Sequence, residues 1–365
     1  YSGTDTNNLF LHPNESNAES DFDGIALTST GFSLHGASNA ANNSGQTYIY
    51  MAIRRGPMVA PEDATEVFDT KVKTAGSTTE ISSDNLVDMS LNMYRSGSSN
   101  RSYFNDRVRN SGLWLQGENT NAEISGYTPG LDRMTGFETD LFSAGASVIS
   151  HTWTRAPNFC DVVAYTGNGV AGHTVSHNLG VEPEMIWVKD RDQVKSWQAY
   201  LGPLGLSGGA PAYAPLNETD AAAYSSTRFY TTPTATEFSI GSNSRINTSG
   251  SNYIAYLFAS LNGISKVGSY IGNGTSQTIN CGFTSGARFI LIKRTNTTGS
   301  WSVFNTERGI VAGNDPKMKI NSTQGEDSSS DYIDPDNSGF IVNYIADDDE
   351  DTNVDGDEYI FYAIA

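Results

Sequence analysis

Four short apolar runs constrain what this chain can fold into. They are Tyr48–Ile53 (YIYMAI), Val148–Trp153 (VISHTW), Tyr253–Ala259 (YIAYLFA) and Tyr359–Ala365 (YIFYAIA), spaced about one hundred residues apart. Each is rich in β-branched and aromatic residues and is bounded by polar turn residues, which is the signature of a strand. A Gly-Phe or Glu-Phe run precedes each one: Gly31-Phe32, Gly136-Phe137, Glu237-Phe238 and Gly339-Phe340. A polar loop joins the two runs, as in a hairpin.

Further landmarks recur in the same order. Met89–Tyr94 precedes Tyr103–Asp106, Met185–Lys189 precedes Trp197–Tyr200, and Phe289–Arg294 precedes Trp301–Asn305. Tyr165-Thr166-Gly167-Asn168-Gly169 corresponds to Tyr270-Ile271-Gly272-Asn273-Gly274. The expected fold is therefore all-β, a tandem array of β-sandwich repeats of about 100 residues with six to eight short strands each. The expected boundaries are 1–55 for an incomplete repeat, 56–155 for a divergent repeat, 156–262 for a third and 263–365 for a fourth. We call these units one to four. Unit one holds only the rear of a repeat. We expect it to belong to a longer protein, or to be completed by strands from a neighbouring subunit. The junctions are short, which predicts contact between successive units and a stiff rod.

The net charge of −19 disfavours nucleic acid and anionic membrane surfaces as partners, since both call for a basic face. No apolar run approaches the roughly 20 residues of a membrane span. The two cysteines, Cys160 and Cys281, fall at non-equivalent points, so they are expected to be buried free thiols.

Three groups of residues are candidates for chemistry. Asp351-Thr352-Asn353-Val354-Asp355-Gly356 begins like a calcium loop, with Asp351, Asn353 and Asp355 as oxygen donors. Its twelfth position is Tyr362 where a bidentate Glu belongs, and a strand follows where a helix belongs, so a solvated acidic hairpin tip is the expected reading. His173 and His177 are four apart, but on strand and turn with no third ligand nearby, so no zinc site is expected. Asp190 with Asp192, and Asp334 with Asp336, are acidic pairs beside Arg191 and Pro335; nothing marks either as the acid and base of a glycosidase. Trp114, Trp153, Trp187, Trp197 and Trp301 could each stack on a sugar ring; Trp197 and Trp301 are equivalent within the repeat, so these two are expected as core or half-buried residues. Trp114 has no equivalent, which makes it the candidate for an exposed ligand contact. No catalytic residue and no cofactor are expected.

The wording of Phe159-Cys160-Asp161-Val162-Val163-Ala164-Tyr165-Thr166-Gly167-Asn168-Gly169, followed by His177-Asn178-Leu179-Gly180-Val181-Glu182-Pro183-Glu184-Met185-Ile186-Trp187-Val188-Lys189, resembles a repeat domain of unassigned function. That domain occurs in bacteriophage tail-fibre-like and other virion proteins, common in phages of marine bacteria and cyanobacteria. Gly286–Thr295 and Asp331–Pro335 resemble the same family. The resemblance is clear over 156–365 and weaker over 1–155. It implies a structural protein of the virion surface, a tail or surface fibre contacting the host, with other virion proteins, further copies of itself and a host surface glycan as partners. Two other classes remain: a capsid-decorating or filament-forming protein without receptor binding, and a polysaccharide depolymerase.

Overall fold

Runs of β-branched and aromatic residues need a partner for every buried backbone N–H and C=O, and antiparallel ladders supply them here. The computed structural model describes residues 8–10, 16–18, 20–22, 25–28, 31–34, 42–52, 59–73, 80–96, 101–109, 112–126, 131, 136–138, 147–346 and 352–365. The protein is all-β, 41% strand and 2% helical, with several antiparallel sheets. Among the described residues no helix is long and apolar enough to cross a membrane.

Units two, three and four each contain a larger sheet with one strand order: opening strand, closing strand, first hairpin strand, second hairpin strand, edge strand. In unit two these are Phe68–Lys73, Ser147–Trp153, Met89–Ser96, Ser102–Asp106 and Leu115–Gln116. In unit three they are Cys160–Thr166, Asn252–Phe258, Met185–Asp190, Gln198–Leu201 and Ala210–Ala214, with Leu206–Ser207 and Ala223–Tyr224 added beside the edge strand. In unit four they are Ser265–Ile271, Glu358–Ile364, Phe289–Arg294, Trp301–Asn305 and Met318–Lys319. The closing strand is thus internal, paired antiparallel on both sides. Its apolar run follows from that place, since an internal strand with both faces covered buries every side chain.

A smaller sheet accompanies each larger one. It pairs Glu80–Ile81 with Phe137–Glu138, His173–Ser176 with Glu237–Ile240, and Gln277–Asn280 with Gly339–Val342 and Ile333–Asp336. In unit three the alternation of side chains separates two interiors. Ile186, Val188, Ala255 and Leu257 pack outward with Val175, Phe238 and Ile240 of the smaller sheet. Met185, Trp187, Ile254, Tyr256 and Phe258 point the other way, into a core shared with units two and four.

That shared core corrects the expectation of a rod. Phe104 of unit two lies 4.8 Å from Trp197 of unit three, ring centre to ring centre. Phe258 of unit three lies 4.9 Å from Tyr362 of unit four. Phe289 of unit four lies 5.5 Å from Trp153 and 5.4 Å from Phe68, both of unit two. Each of the three units touches both others. A rod would leave the second apolar face of every larger sheet in water, at about 25 cal/mol for each Å² exposed. Closing three such faces on one another removes the exposure.

Equivalent hydrogen bonds recur round the closed arrangement. The indole N–H of Trp197 donates to the carbonyl of Gln116 at 2.8 Å, and that of Trp301 to the carbonyl of Pro215 at 3.0 Å. At the third junction Ser102 occupies the tryptophan's register position, and its hydroxyl donates to the carbonyl of Ile320 at 2.8 Å. The smaller serine brings the backbone in close, and a Cβ on Gly117 would run into both Ser102 and Phe104. A backbone bond also recurs: Glu123 N to Arg191 O at 2.8 Å, Ala222 N to Thr295 O at 2.7 Å, and Glu326 N to Arg95 O at 2.9 Å.

One shared core predicts cooperative unfolding of residues 56–365. Trp301→Ala should lower the stability of that whole body by roughly 3–5 kcal/mol. In urea, tryptophan fluorescence and far-ultraviolet dichroism should move together to a lower midpoint. A variant in which unit four melts alone, with the other two unshifted, would contradict the shared core.

Candidate functional site

Charged side chains concentrate where units meet. At the junction of units two and three, Arg191 donates through Nε and Nη2 to the two oxygens of Glu123, both at 2.9 Å. Arg109, from the same unit as Glu123, adds Nη1 at 3.1 Å. Its Nε lies 2.5 Å from Asp106, and its Nη2 donates to the Phe104 carbonyl at 2.9 Å. The phenol of Tyr256, from unit three, donates to Asp106 at 2.7 Å.

The junction of units four and two repeats this plan. Arg95 holds both oxygens of Glu326 at 2.8 Å, and Arg308 adds Nη1 at 3.4 Å and donates through Nη2 to the Val303 carbonyl at 2.9 Å. Burial opposes the charge on both inner arginines, with different results. On Arg109 the pull of Asp106, Tyr256 and Glu123 outweighs burial and holds the guanidinium above its ordinary range. Arg308 has only Glu326 to offset its burial, with Arg95 repelling it, and is pushed down to about 10. The junction of units three and four has Ala222 and Thr295 at these places and keeps only the backbone bond.

Two buried lysines complete the joints. Lys189 donates to the carbonyls of Asp190 at 2.7 Å and Thr120 at 3.4 Å. Lys293 donates to the carbonyls of Gly299 at 2.7 Å and Thr219 at 3.1 Å. Thr120 and Thr219 belong to the preceding unit in each case. Unit two has Met93 at this register position. Burial pushes Lys189 down to about 8 against the pull of Asp190, and Lys293 down to about 7 against the pull of Asp220.

The residues singled out from sequence lie elsewhere and are engaged in the fold. Trp114 is not exposed as expected. It is fully buried, edge-on to Tyr103 at 6.0 Å, in a cluster with Ile81, Phe137 and Val148 beneath the smaller sheet of unit two. Trp197 and Trp301 are buried as expected, and Trp153 and Trp187 are buried too. Asp351 lies outside the described residues. Asn353 is buried, and its amide serves the turn: Oδ1 accepts from Asn273 N at 3.0 Å and Gln277 Nε2 at 2.9 Å, while Nδ2 donates to the carbonyls of Thr275 and Val342. Asn247 does the same in unit three, accepting from Asn168 N at 2.8 Å and donating to Gly241 O at 2.7 Å. Asp355 is exposed, and Gly356 takes the left-handed turn at φ 76°.

His173 faces Asn247 Oδ1 at 3.4 Å, and His177 faces the Thr234 carbonyl at 3.1 Å while accepting from Leu179 N at 3.2 Å. Among the described residues no three His, Cys, Asp or Glu side chains are grouped to hold a metal. The acidic pairs are engaged in the fold, Asp190 and Asp336 within their own turns. Asp190 accepts from Asp192 N and Gln193 N, Asp192 from Asn252 N, Asp334 from Asn343 Nδ2 and Asp336 from Ser338 N. Cys160 and Cys281 are buried free thiols, as expected. Burial pushes the first well above its ordinary range and the second up to about 12, so neither is a thiolate nucleophile at neutral pH.

A surface concavity of about 420 Å³ opens beside Glu182, Glu184, Pro203 and Ser260. Glu184 accepts from Ser260 N at 2.6 Å there, so one of its two carboxylates is part of the exit from the closing strand.

Sequence reasoning missed the joints. The equal offsets of Arg109 and Arg308 from Tyr103–Asp106 and Trp301–Asn305 were a readable signal for them.

Residues 2–57 and 146–365 match the family described as "Domain of unknown function (DUF7483)". Most of unit two falls outside the match. There the outward face carries buried Ser90, Asn92, Asn105 and Ser150, where unit three has Ile186, Val188, Tyr200 and Ala255. No curated protein matches the chain.

The joints and the concavity generate three predictions. Glu123→Gln leaves Arg109 and Arg191 without their shared carboxylate and should destabilise the folded body by about 3–5 kcal/mol in urea unfolding. Glu182→Gln, on the concavity, should change it by under roughly 0.5 kcal/mol. For Lys293 the folded value of about 7 lies below the ordinary 10.5, so unfolding takes up a proton between those limits. Its contribution is full above 10.5 and is lost as pH falls towards 7. Lys293→Met, the residue type used at Met93, should flatten the rise of stability between pH 7 and 10 and raise stability at pH 7. An unchanged slope would place the proton elsewhere.

Proposed function

The chain belongs to the DUF7483 family, and from that premise we propose that it is a structural protein of a bacteriophage virion, a tail fibre or surface fibre on the outside of the particle. In this reading each of units two to four is a β-sandwich repeat, a larger sheet with a smaller one on its outer face. Other virion proteins and further copies of the chain are its assembly partners, and a host surface glycan is what the exposed end would meet.

One observation carries the reading: the buried charged side chains between units are engaged in holding the units together, and several acidic ones cap turns. Arg109, Glu123, Arg191, Arg95, Glu326 and Arg308 join units. Asp190 and Asp336 accept backbone N–H groups within their own turns. Such a body transmits force and position, which is what a fibre requires. The acidic surface supports the same role, since like charge keeps neighbouring edges from unplanned pairing. The resemblance of residues 156–365 to repeats of tail-fibre-like proteins supports it too.

Gold-labelled antibody against the purified chain, applied to intact particles, should decorate a fibre or the outer surface in electron micrographs, and the purified chain should compete with particles for adsorption to host cells. Decoration of the capsid shell without competition would favour the decorating role. Release of reducing ends from host capsule would replace the reading with a depolymerase.

A further inference from the structure

The concavity beside Glu182 and Glu184 has a counterpart place in units two and four, and the three are furnished differently. Backbone bonds define the place. Glu184 N donates to the Phe258 carbonyl, and the Glu184 carbonyl accepts from Gly202 N at 2.8 Å. In unit two Asp88 N donates to Trp153 O, and Asp88 O accepts from Arg107 N. In unit four Arg288 N donates to Ile364 O, and Arg288 O accepts from Thr306 N. Asp88, Glu184 and Arg288 are therefore equivalent. Arg155 and Ser260 are equivalent too, since Arg155 N donates to Asp88 Oδ2 at 2.8 Å and Ser260 N to Glu184 Oε2 at 2.6 Å.

In units two and four the charge at this place is answered from within the chain. Asp88 has Arg107 Nε at 3.6 Å, and Arg155 sets its guanidinium on Asp161 at 2.6 Å. Arg107 also donates to the Val87 carbonyl, through Nε at 3.2 Å and Nη2 at 3.0 Å. Its side chain thus runs over the residues that correspond to Pro183 and Glu184. Arg288 has Asp69 at 3.7 Å and lies over the Phe68 ring.

Unit three breaks the pattern. Gly202 and Ser260 stand where unit two has Arg107 and Arg155, and a concavity of about 420 Å³ opens between them. Glu182 adds a second carboxylate to its wall. Among the described residues no lysine or arginine pairs with Glu182 or Glu184. The two share one field: burial pushes the Tyr200 phenol up, and both carboxylates push it further. Val181, Pro203 and Ala259 make the apolar part of the wall.

We propose that this concavity is a docking site for an arginine side chain of another protein. Unit two specifies the chemistry, because a guanidinium is what the chain itself places here when it carries the side chain. A guanidinium binds carboxylate oxygens with directed N–H groups, and the apolar wall covers its methylene stem. An exposed ion pair contributes little alone, so the arginine is held as one residue of a larger contact. A second copy of this chain is the poorer source, since copies carrying a net charge of −19 repel one another. The inference does not rest on the virion reading.

The probe is N-acetyl-arginine amide, titrated into the full chain and followed by the amide shifts of Glu184, Gly202 and Ser260. The shifts should saturate with a dissociation constant of roughly 1–10 mM, the range for so small a contact. N-acetyl-citrulline amide, the uncharged isostere, should leave them in place, and N-acetyl-lysine amide should bind several-fold more weakly. Glu182→Gln should weaken arginine binding several-fold. Glu182→Gln with Glu184→Gln should abolish it and leave the urea midpoint nearly unchanged, because glutamine at 184 still accepts from Ser260 N. The proposal is overturned by the absence of a saturable shift, by an equal response to citrulline or lysine, or by binding that survives the double variant. Binding tighter than about 0.1 mM would overturn it in favour of a free small ligand. Dimerisation of the chain that the double variant abolishes would overturn it in favour of a second copy.

Discussion

The inward faces of the three larger sheets can be dry only if they cover one another. Each carries large side chains, Phe104 and Trp153 in unit two, Trp187 and Phe258 in unit three, Phe289 and Tyr362 in unit four. Each outward face already has its smaller sheet. No single unit buries both faces alone. The polar joints are set by that closure. Once the apolar faces meet, the backbone at the rim of each sheet comes within reach of its neighbour, and Trp197, Trp301, Lys189 and Lys293 find carbonyls there.

The joints are alike in place and unlike in chemistry. Two use a carboxylate held between arginines, and the third uses Ala222 and Thr295. Two use a tryptophan, and the third a serine beside Gly117. A buried ion pair adds little net stability over apolar packing, but a missing partner is costly. Arg191 has its carboxylate at Glu123, while Ala222 stands at the corresponding place of the next junction. Unit two is the most altered, with its polar outward face and most of its length outside the family match. It is still held by the same inward contacts.

The candidate sites show how a local motif is overruled. Asp351 to Gly356 looks like a cation loop because alternating oxygen donors and a glycine suit one. They also suit a tight polar turn, and Asn353 is engaged in that turn through both ends of its amide. Trp114 has no equivalent tryptophan in the other units, which suggested a surface role. A large indole is driven inward wherever an apolar pocket exists, and Ile81, Phe137 and Val148 make one.

What the sequence determined by itself is local. The all-β class, the closing strands and the core places of Trp197 and Trp301 follow from side-chain type and order, because β-branched and aromatic runs between polar turns have few other uses. The Gly-Phe and Glu-Phe runs of units two to four, expected as hairpin partners of the closing strands, pair within the smaller sheets instead, because the closing strands have both edges taken in the larger sheets. Only the tertiary structure decided that three units close on a common core, and that Arg191 answers Glu123 across 68 residues and Arg95 answers Glu326 across 231. Those outcomes depend on which apolar face meets which. A strand with both faces apolar records that it is covered twice, as Tyr359–Ala365 does, but it carries no mark of what covers it. That choice is made by the shapes of whole sheets, and it exists only once the sheets have formed.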